Sequence, residues 1–484
     1  MRKAFEVQLE LGQVAIEQVC FPKKSRHELP AILAGLQWIF MTKHVRDEVL
    51  DLLAKQVIGE KKATGRKGMD LWHILVLGVV RLGLDCDYDH LEDLANNHVL
   101  LRQILGVAPL LDPSERGFHR KTLSQNVAKL DEGLLSRINT IVARHGLEVF
   151  HKEGRAEPLE IKMDSYVLGT NVHFPTDLNL LWDAQRKCLD LVVPLCSSYG
   201  IAGWRKAEDW TGQLKGQMRT VSQINQRGGA GKPERLRKAA EEYLKLTTRF
   251  EAKVFDSWLR LRACDLACED AIMLSCLSYF HDEVLRHMDL IQRRLVNGEK
   301  IPHEDKVFSL FEPHTEWINK GKAFPPVELG HKLHIATSQH GIIMDYAILE
   351  KQTDVDALIP SVDRLLHSYG AIRSLSADKG YSREEDKQLI ELFIDNVVIP
   401  KRGRLSKQQK ELEHHKTFRA LRHQHSAVES DIHCLEHHGL NRCPDKGRRG
   451  YGRYVGLGVL AYNLHKIGAR LLRAKAESAP AKAA

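Results

Sequence analysis

Apolar positions recur at helical spacing through the first third of the chain. The segments ILAGLQWIF (32–40), HVRDEVLDLLAKQVI (44–58), the run over 70–84 and LEDLANNHVLLRQILG (91–106) each place them on one helix face. No period-two pattern interrupts them, so residues 1 to 150 are expected to be helical. Within this part, RKTLSQNVAKLDEGLLSRINTIVARHG (120–146) predicts two helices, one started by Thr122 or Ser124 and the other stopped by Gly146. Such a pair either enters a DNA groove or serves packing and dimerisation, and the pattern alone does not separate the two.

The pattern changes at LEIKMDSYVLGTNVHF (159–174), where β-branched and aromatic residues with Gly169 and Asn171 predict strand, turn, strand. From Leu180 to about Glu299 helical spacing returns, broken only at QRGGAGKP (226–233). Two apolar runs in GHKLHIATSQHGIIMDYAILE (330–350), joined over Ser338 to Gly341, predict a hairpin. A helix over 354–370, a short strand over 374–382, a helix from Arg383 to Phe393 and a strand over 396–403 then alternate, as in a parallel α/β arrangement. The chain is expected to be helical after Arg404 and to end in a disordered tail.

Composition narrows the function classes. With 484 residues, 43% hydrophobic and 28% charged, the chain is globular and long enough for several folded units. The longest apolar run, Leu71 to Val80, is interrupted by His73 and Gly78 and is far shorter than the ~20 residues of a membrane span. The N-terminus MRKAFEVQLELG lacks the apolar core of a secretory signal, and the nine cysteines form no C-x-x-C pair. A cytoplasmic protein with reduced thiols and no membrane partner is therefore expected. Residues 401–454 hold thirteen Lys or Arg against six acids, a concentration that suits either a polyanionic partner or a solvated basic face. No G-x-x-x-x-G-K-[ST] loop is present, which argues against an ATP-driven enzyme. DCDYD (85–89) lacks the Gly and Glu that a calcium loop needs, having His90 and Asn96 instead. Cys434, His437, His438 and Cys443, with His433 adjacent, are a rival zinc set, but they lack paired ligands, and Gly439 and Pro444 suggest a plain turn.

Three acids stand out by position. Asp164 follows Ile161 and Met163, and Asp378 follows Leu375 and Ala377, so each is expected at the end of an apolar strand facing a shared crevice. Glu429 lies beside the apolar stripe of Val428, Ile432 and Leu435 on an expected helix. Taken singly, such residues are more often caps or surface ion-pair partners.

Around them stand the segments 68–96, IKMDSYVLGTNVHFPTDLNLLWDAQRK (161–187), 328–349, LSADKGYS (375–382), VVIPKRGR (397–404), AVESDIHCLEHHGLNRCPDKG (427–447) and YVGLGVLAYNLHKIG (454–468). Together these segments resemble the DDE transposases of bacterial insertion sequences, in particular the ISNCY-type group. The resemblance implies an α/β fold: an RNase H-like catalytic domain (155–180 and 320–475) with an N-terminal helical domain (1–150) for DNA-end binding or dimerisation. A helical insertion (181–319) and the tail (476–484) complete the chain. It implies Asp164, Asp378 and Glu429 as catalytic metal ligands for two Mg2+ ions, with Mn2+ as a substitute. Asp164 is expected to bridge both ions, Asp378 to bind one and Glu429 the other. Transposon ends and target, both double-stranded DNA, are the implied partners, with a homodimer on DNA. Lys379, Lys401, Arg402, Arg404, Arg422, Arg448 and Arg449 are candidate DNA contacts. Related transposases carry a Tyr, an Arg and a Lys where this chain has Arg422, His425 and Glu436, and Glu436 becomes a rival to Glu429. A non-catalytic DNA-binding relative and an RNase H-fold nuclease without joining activity are the alternative functions.

Overall fold

The computed structural model describes residues 3–5, 13–22, 25–59, 68–108, 117–151, 157–319 and 326–478. In chain order, seven helices come first: α1 (Leu29–Met41), α2 (Lys43–Leu53), α3 (Leu71–Gly83), α4 (Tyr88–Asn97), α5 (Val99–Leu105), α6 (Arg120–Val127) and α7 (Glu132–Gly146). Strand β1 (Leu159–Thr170) follows, then α8 (Asp177–Ser198), α9 (Ala207–Gln226), α10 (Lys232–Arg262) and α11 (Cys268–Ile291). Next are β2 (Glu316–Asn319), β3 (Val327–Ser338), β4 (Ile343–Leu349), α12 (Asp354–Tyr369), β5 (Ile372–Ala377), α13 (Glu384–Ile390) and β6 (Asn396–Val398). The chain finishes with α14 (Lys407–His414), α15 (Lys416–His425), α16 (Ala427–Leu435), β7 (Arg442–Cys443) and α17 (Gly447–Glu477). The expected tail begins inside α17, and residues 479–484 lie outside the described part.

The chain divides into two compact units, one of Met1–Asn171 with Glu316–Ala484 and one of Val172–Thr315. The first is mixed α/β. Its sheet runs β2-β3-β1-β5-β6, with β4 also on β3 beyond the end of β2, and β7 on the far end of β1. Central β1 is antiparallel to β3 and parallel to β5, and both faces of the sheet are covered by helices, so its apolar positions read as a nearly continuous buried run.

The 159–174 segment is one long strand to Thr170 rather than strand, turn, strand. Gly169 is extended and pairs with Gly330 of β3. A side chain at Gly330 would collide with the Leu168 carbonyl, so the glycine there serves close strand approach, which in sequence mimics a turn.

Residues 1–150 share the first unit with the sheet, and α17 explains how. This long helix packs against α1, α3 and α7, and Val455, Leu457, Val459, Leu460 and Leu464 are fully buried. At the α1 crossing a Cβ on Gly35 would meet the Leu464 carbonyl, and one on Gly468 would meet the Ala31 carbonyl. Only glycines let the two backbones approach so closely. Ile32, Leu33, Leu36 and Ile39 of α1 are also fully buried, each such side chain contributing roughly 1.5–3 kcal/mol. A buried ion network adds specificity: Arg81 of α3 pairs with Asp445 at 2.6 Å, and Arg453 of α17 reaches the same carboxylate at 3.1 Å.

The second unit, Val172–Thr315, holds α8–α11 where a helical insertion was expected over 181–319, but Glu316–Asn319 form β2 of the first unit's sheet instead. Its core includes Cys188, Leu214, Phe250, Leu277 and Tyr243. The Tyr243 hydroxyl donates to the Gln185 side chain at 2.9 Å, and the Gln185 amide donates to Thr247, which satisfies the polar atoms buried there.

Candidate active site

Alternation along β1 puts Lys162, Asp164 and Tyr166 on one face of the sheet and Ser165 on the other. The parallel register pairs Lys162 with Ser376 and Met163 with Ala377, which brings the next residues, Asp164 and Asp378, side by side. Asp378 does end its strand, leading a single 3-10 turn over Lys379–Tyr381. Asp164 lies mid-strand instead, at the point where the β5 pairing stops. The strand-end expectation therefore holds for one acid only, because β1 continues along β3 to Gly169.

Helices α15 and α16 cover this face. Val428 and Leu435 of α16 point into the core, and Asp431 anchors the helix to α17 by accepting from the Tyr462 hydroxyl (2.6 Å) and Lys466 (3.3 Å). Glu429 is left exposed at the helix start, and its charge acts on Asp164. Burial, and then the charges of Asp378, Asp354 and Glu429, push the Asp164 carboxyl up to about 6, against a backbone N–H from Ser165 donated at 2.7 Å. Asp164, Asp378 and Glu429 thus share one electrostatic environment.

Two residues given no role in the site by the sequence, His425 and Asp354, complete it. His425, at the end of α15, meets the Ser376 hydroxyl at 3.2 Å through Nδ1. Burial holds its imidazole below the ordinary range, opposed by Asp378 and Glu429 and assisted by Lys162 and Arg422. Asp354, the first residue of α12, accepts from the Ser165 hydroxyl at 2.6 Å and pairs with Lys332 at 2.9 Å on the other face. Its only sequence signal is the capping box of Thr353 and Asp356 beside it.

A buried polar chain supports the Asp378 turn from that second face. His334 contacts the Tyr381 hydroxyl at 2.8 Å through Nδ1 and the Ser361 hydroxyl at 3.0 Å through Nε2. Ser361 donates to Asp345 (2.6 Å), which also pairs with Arg364 (2.7 Å). Since the Ser361 proton goes to Asp345, Nε2–H of His334 donates to Ser361 and Nδ1 accepts from Tyr381. Burial pushes His334 down to about 4, so the ring is neutral at pH 7. The Tyr381 N–H closes the turn on the Asp378 carbonyl at 3.0 Å.

All three acids offer hard oxygen donors, which suit Mg2+. Among the described residues no three His, Cys, Asp or Glu side chains already surround one point closely enough to hold an ion. A divalent cation bound there would offset the mutual repulsion of the carboxylates.

The remaining sequence candidates differ in their surroundings. Lys379, Arg402, Arg404, Arg422 and Arg449 are exposed. Lys401 is exposed and donates to the Gln409 side chain at 3.2 Å. Arg448 is engaged by Glu132 at 2.8 Å and by Glu350, so its charge is met internally. Glu436 acts on Tyr166, two residues further along β1 than Asp164. The residues of the rival zinc set part company: His438 pairs with Glu28 at 3.1 Å, Cys443 is buried in β7, and Cys434 is exposed. No helix among the described residues is long and apolar enough to cross a membrane.

Neither the curated proteins nor the solved structures contain a match to this chain. Residues 300–464, which carry Asp378 and Glu429 but not Asp164, match the family model of the transposase DDE domain, and that match supports a DDE-type transposase.

Proposed function

We propose that this chain binds the terminal repeats of an insertion sequence and catalyses DNA strand cleavage and strand transfer, with Asp164, Asp378 and Glu429 as its catalytic acids. The observation that carries this reading is the β1–β5 register, which sets Asp164 beside Asp378 under the helix bearing Glu429. An RNase H-like core agrees with the sheet: the first acid stands on the central first strand and, leaving out short β2, the second follows the fourth. Glu429 is preferred to Glu436 because it acts on Asp164. Assignment to the ISNCY-type group rests on the sequence segments alone.

Divalent cations held by these carboxylates would make a water or 3′-hydroxyl nucleophilic and stabilise the leaving oxygen. The protein's own contribution is placement. The β1–β5 ladder fixes two carboxylates, the Asp431 anchor fixes the helix that presents the third, and the raised Asp164 carboxyl makes charge neutralisation there favourable. Lys379, exposed and next to Asp378, is the proposed phosphate contact. A homodimer on DNA is the proposed assembly, from the family resemblance.

The test uses duplex DNA bearing the ends that flank the coding region, incubated with protein and Mg2+ or Mn2+. Wild type nicks at the ends, and Asp164→Ala abolishes nicking while leaving end binding largely intact. Nicking by purified Asp164→Ala would refute the assignment.

A further inference from the structure

Helix α15, KTFRALRHQH, contains no acidic residue. Its half-buried positions, Phe418, Leu421 and His425, fall on one face, and His425 there overlooks Ser376. The opposite face carries Lys416, Arg419 and His423, with Arg422 on its flank, all exposed. Lys416, Arg419 and Arg422 have no ion-pair partner among the described residues.

This arrangement works against the helix. Lys416 with Arg419 and Arg419 with Arg422 are like charges three residues apart, and Arg419 faces His423 one turn on. Lys416 at the first helical position also opposes the helix dipole. A polyanion removes both penalties, since its phosphates take up the charges and release counterions. Lys416 and His423 are about 10 Å apart along the helix axis, while one DNA strand presents a charge about every 3.4 Å of its axis. The face therefore spans several phosphates. It offers no apolar side chain larger than Ala420, whereas a protein partner would need an apolar centre.

We propose that the outer face of α15 binds the sugar-phosphate backbone of double-stranded DNA, separately from the acid cluster that its inner face overlooks. The proposal rests on the transposase reading for its choice of DNA.

The experiment measures binding of an end-bearing duplex and a random duplex over a range of salt concentrations, in an Asp164→Asn background. The double variant Lys416→Gln/Arg419→Gln is expected to lower the slope of log affinity against log salt by about two on both duplexes, with Tm unchanged or raised because repulsion is relieved. The charge-keeping swap Lys416→Arg/Arg419→Lys is expected to restore the slope. An unchanged slope, or weakening confined to the end-bearing duplex, would overturn the proposal. Absence of metal-dependent cutting by wild type would instead refute the transposase reading, while the slope change would still report on this face.

Discussion

Replacing Asp164 by Asn removes a carboxyl that the fold makes costly to ionise. The folded carboxyl titrates near 6 against an ordinary 3.8, raised by burial first and by Asp378, Asp354 and Glu429 after it. Between those values the folded state holds a proton that the unfolded state has released. Stability from this group is therefore complete below about pH 4 and is lost as pH rises through 6. A shift of two units corresponds to about 3 kcal/mol, and solvent screening at a half-buried group brings the expected effect to about 1–3 kcal/mol. Unfolding entropy for a unit of this size is about 0.7 kcal/mol per kelvin, so the Asn variant should melt about 1–4 °C above wild type at pH 8 without divalent metal. The two should converge at pH 4. Thermal unfolding between pH 4 and 8 provides the comparison. An Asn variant no more stable than wild type at pH 8 would show that the carboxylate is not strained by its neighbours, and the account of the shared environment would fail.

Other expectations follow from the same geometry. Tyr381→Phe removes the hydroxyl that His334 Nδ1 accepts from, and is expected to raise the Mn2+ concentration needed for half-maximal nicking several-fold while activity at saturating metal recovers; an unchanged requirement would remove the turn-positioning role. Gly468→Ala drives a methyl group into the Ala31 carbonyl at the α1–α17 crossing and should cost about 1–3 kcal/mol in urea unfolding. Asp445→Ala leaves Arg81 and Arg453 buried without their counter-charge, an expected loss of about 3–5 kcal/mol by the same measurement.

Local pattern was enough to locate much of the sheet. The hairpin of β3 and β4 was legible because Gly341, in the left-handed region at φ 71°, marks the turn between two apolar runs. The alternation from α12 to β6 followed from period and from turn residues. The strand over 396–403 proved shorter, ending at Val398, since Pro400 offers no N–H to extend a ladder. Gly169 misled because its reason is Gly330, a partner distant in the chain. Likewise, nothing local in YVGLGVLAYNLHKIG marks α17 as the helix around which the N-terminal helices pack. Of the site, Asp378 and the apolar stripe beside Glu429 were legible, whereas His425, Asp354 and the His334–Tyr381 chain are defined by contacts between elements far apart in sequence.

Asp164, Asp378 and Glu429 are proposed to form one cation site. Titration of Mn2+ into wild type, Asp164→Asn, Asp378→Asn, Glu429→Gln and Glu436→Gln tests it without knowledge of the DNA ends. Each of the first three substitutions is expected to weaken binding at least tenfold, while Glu436→Gln binds as wild type does. Wild-type affinity in Glu429→Gln, or its loss in Glu436→Gln alone, would contradict it.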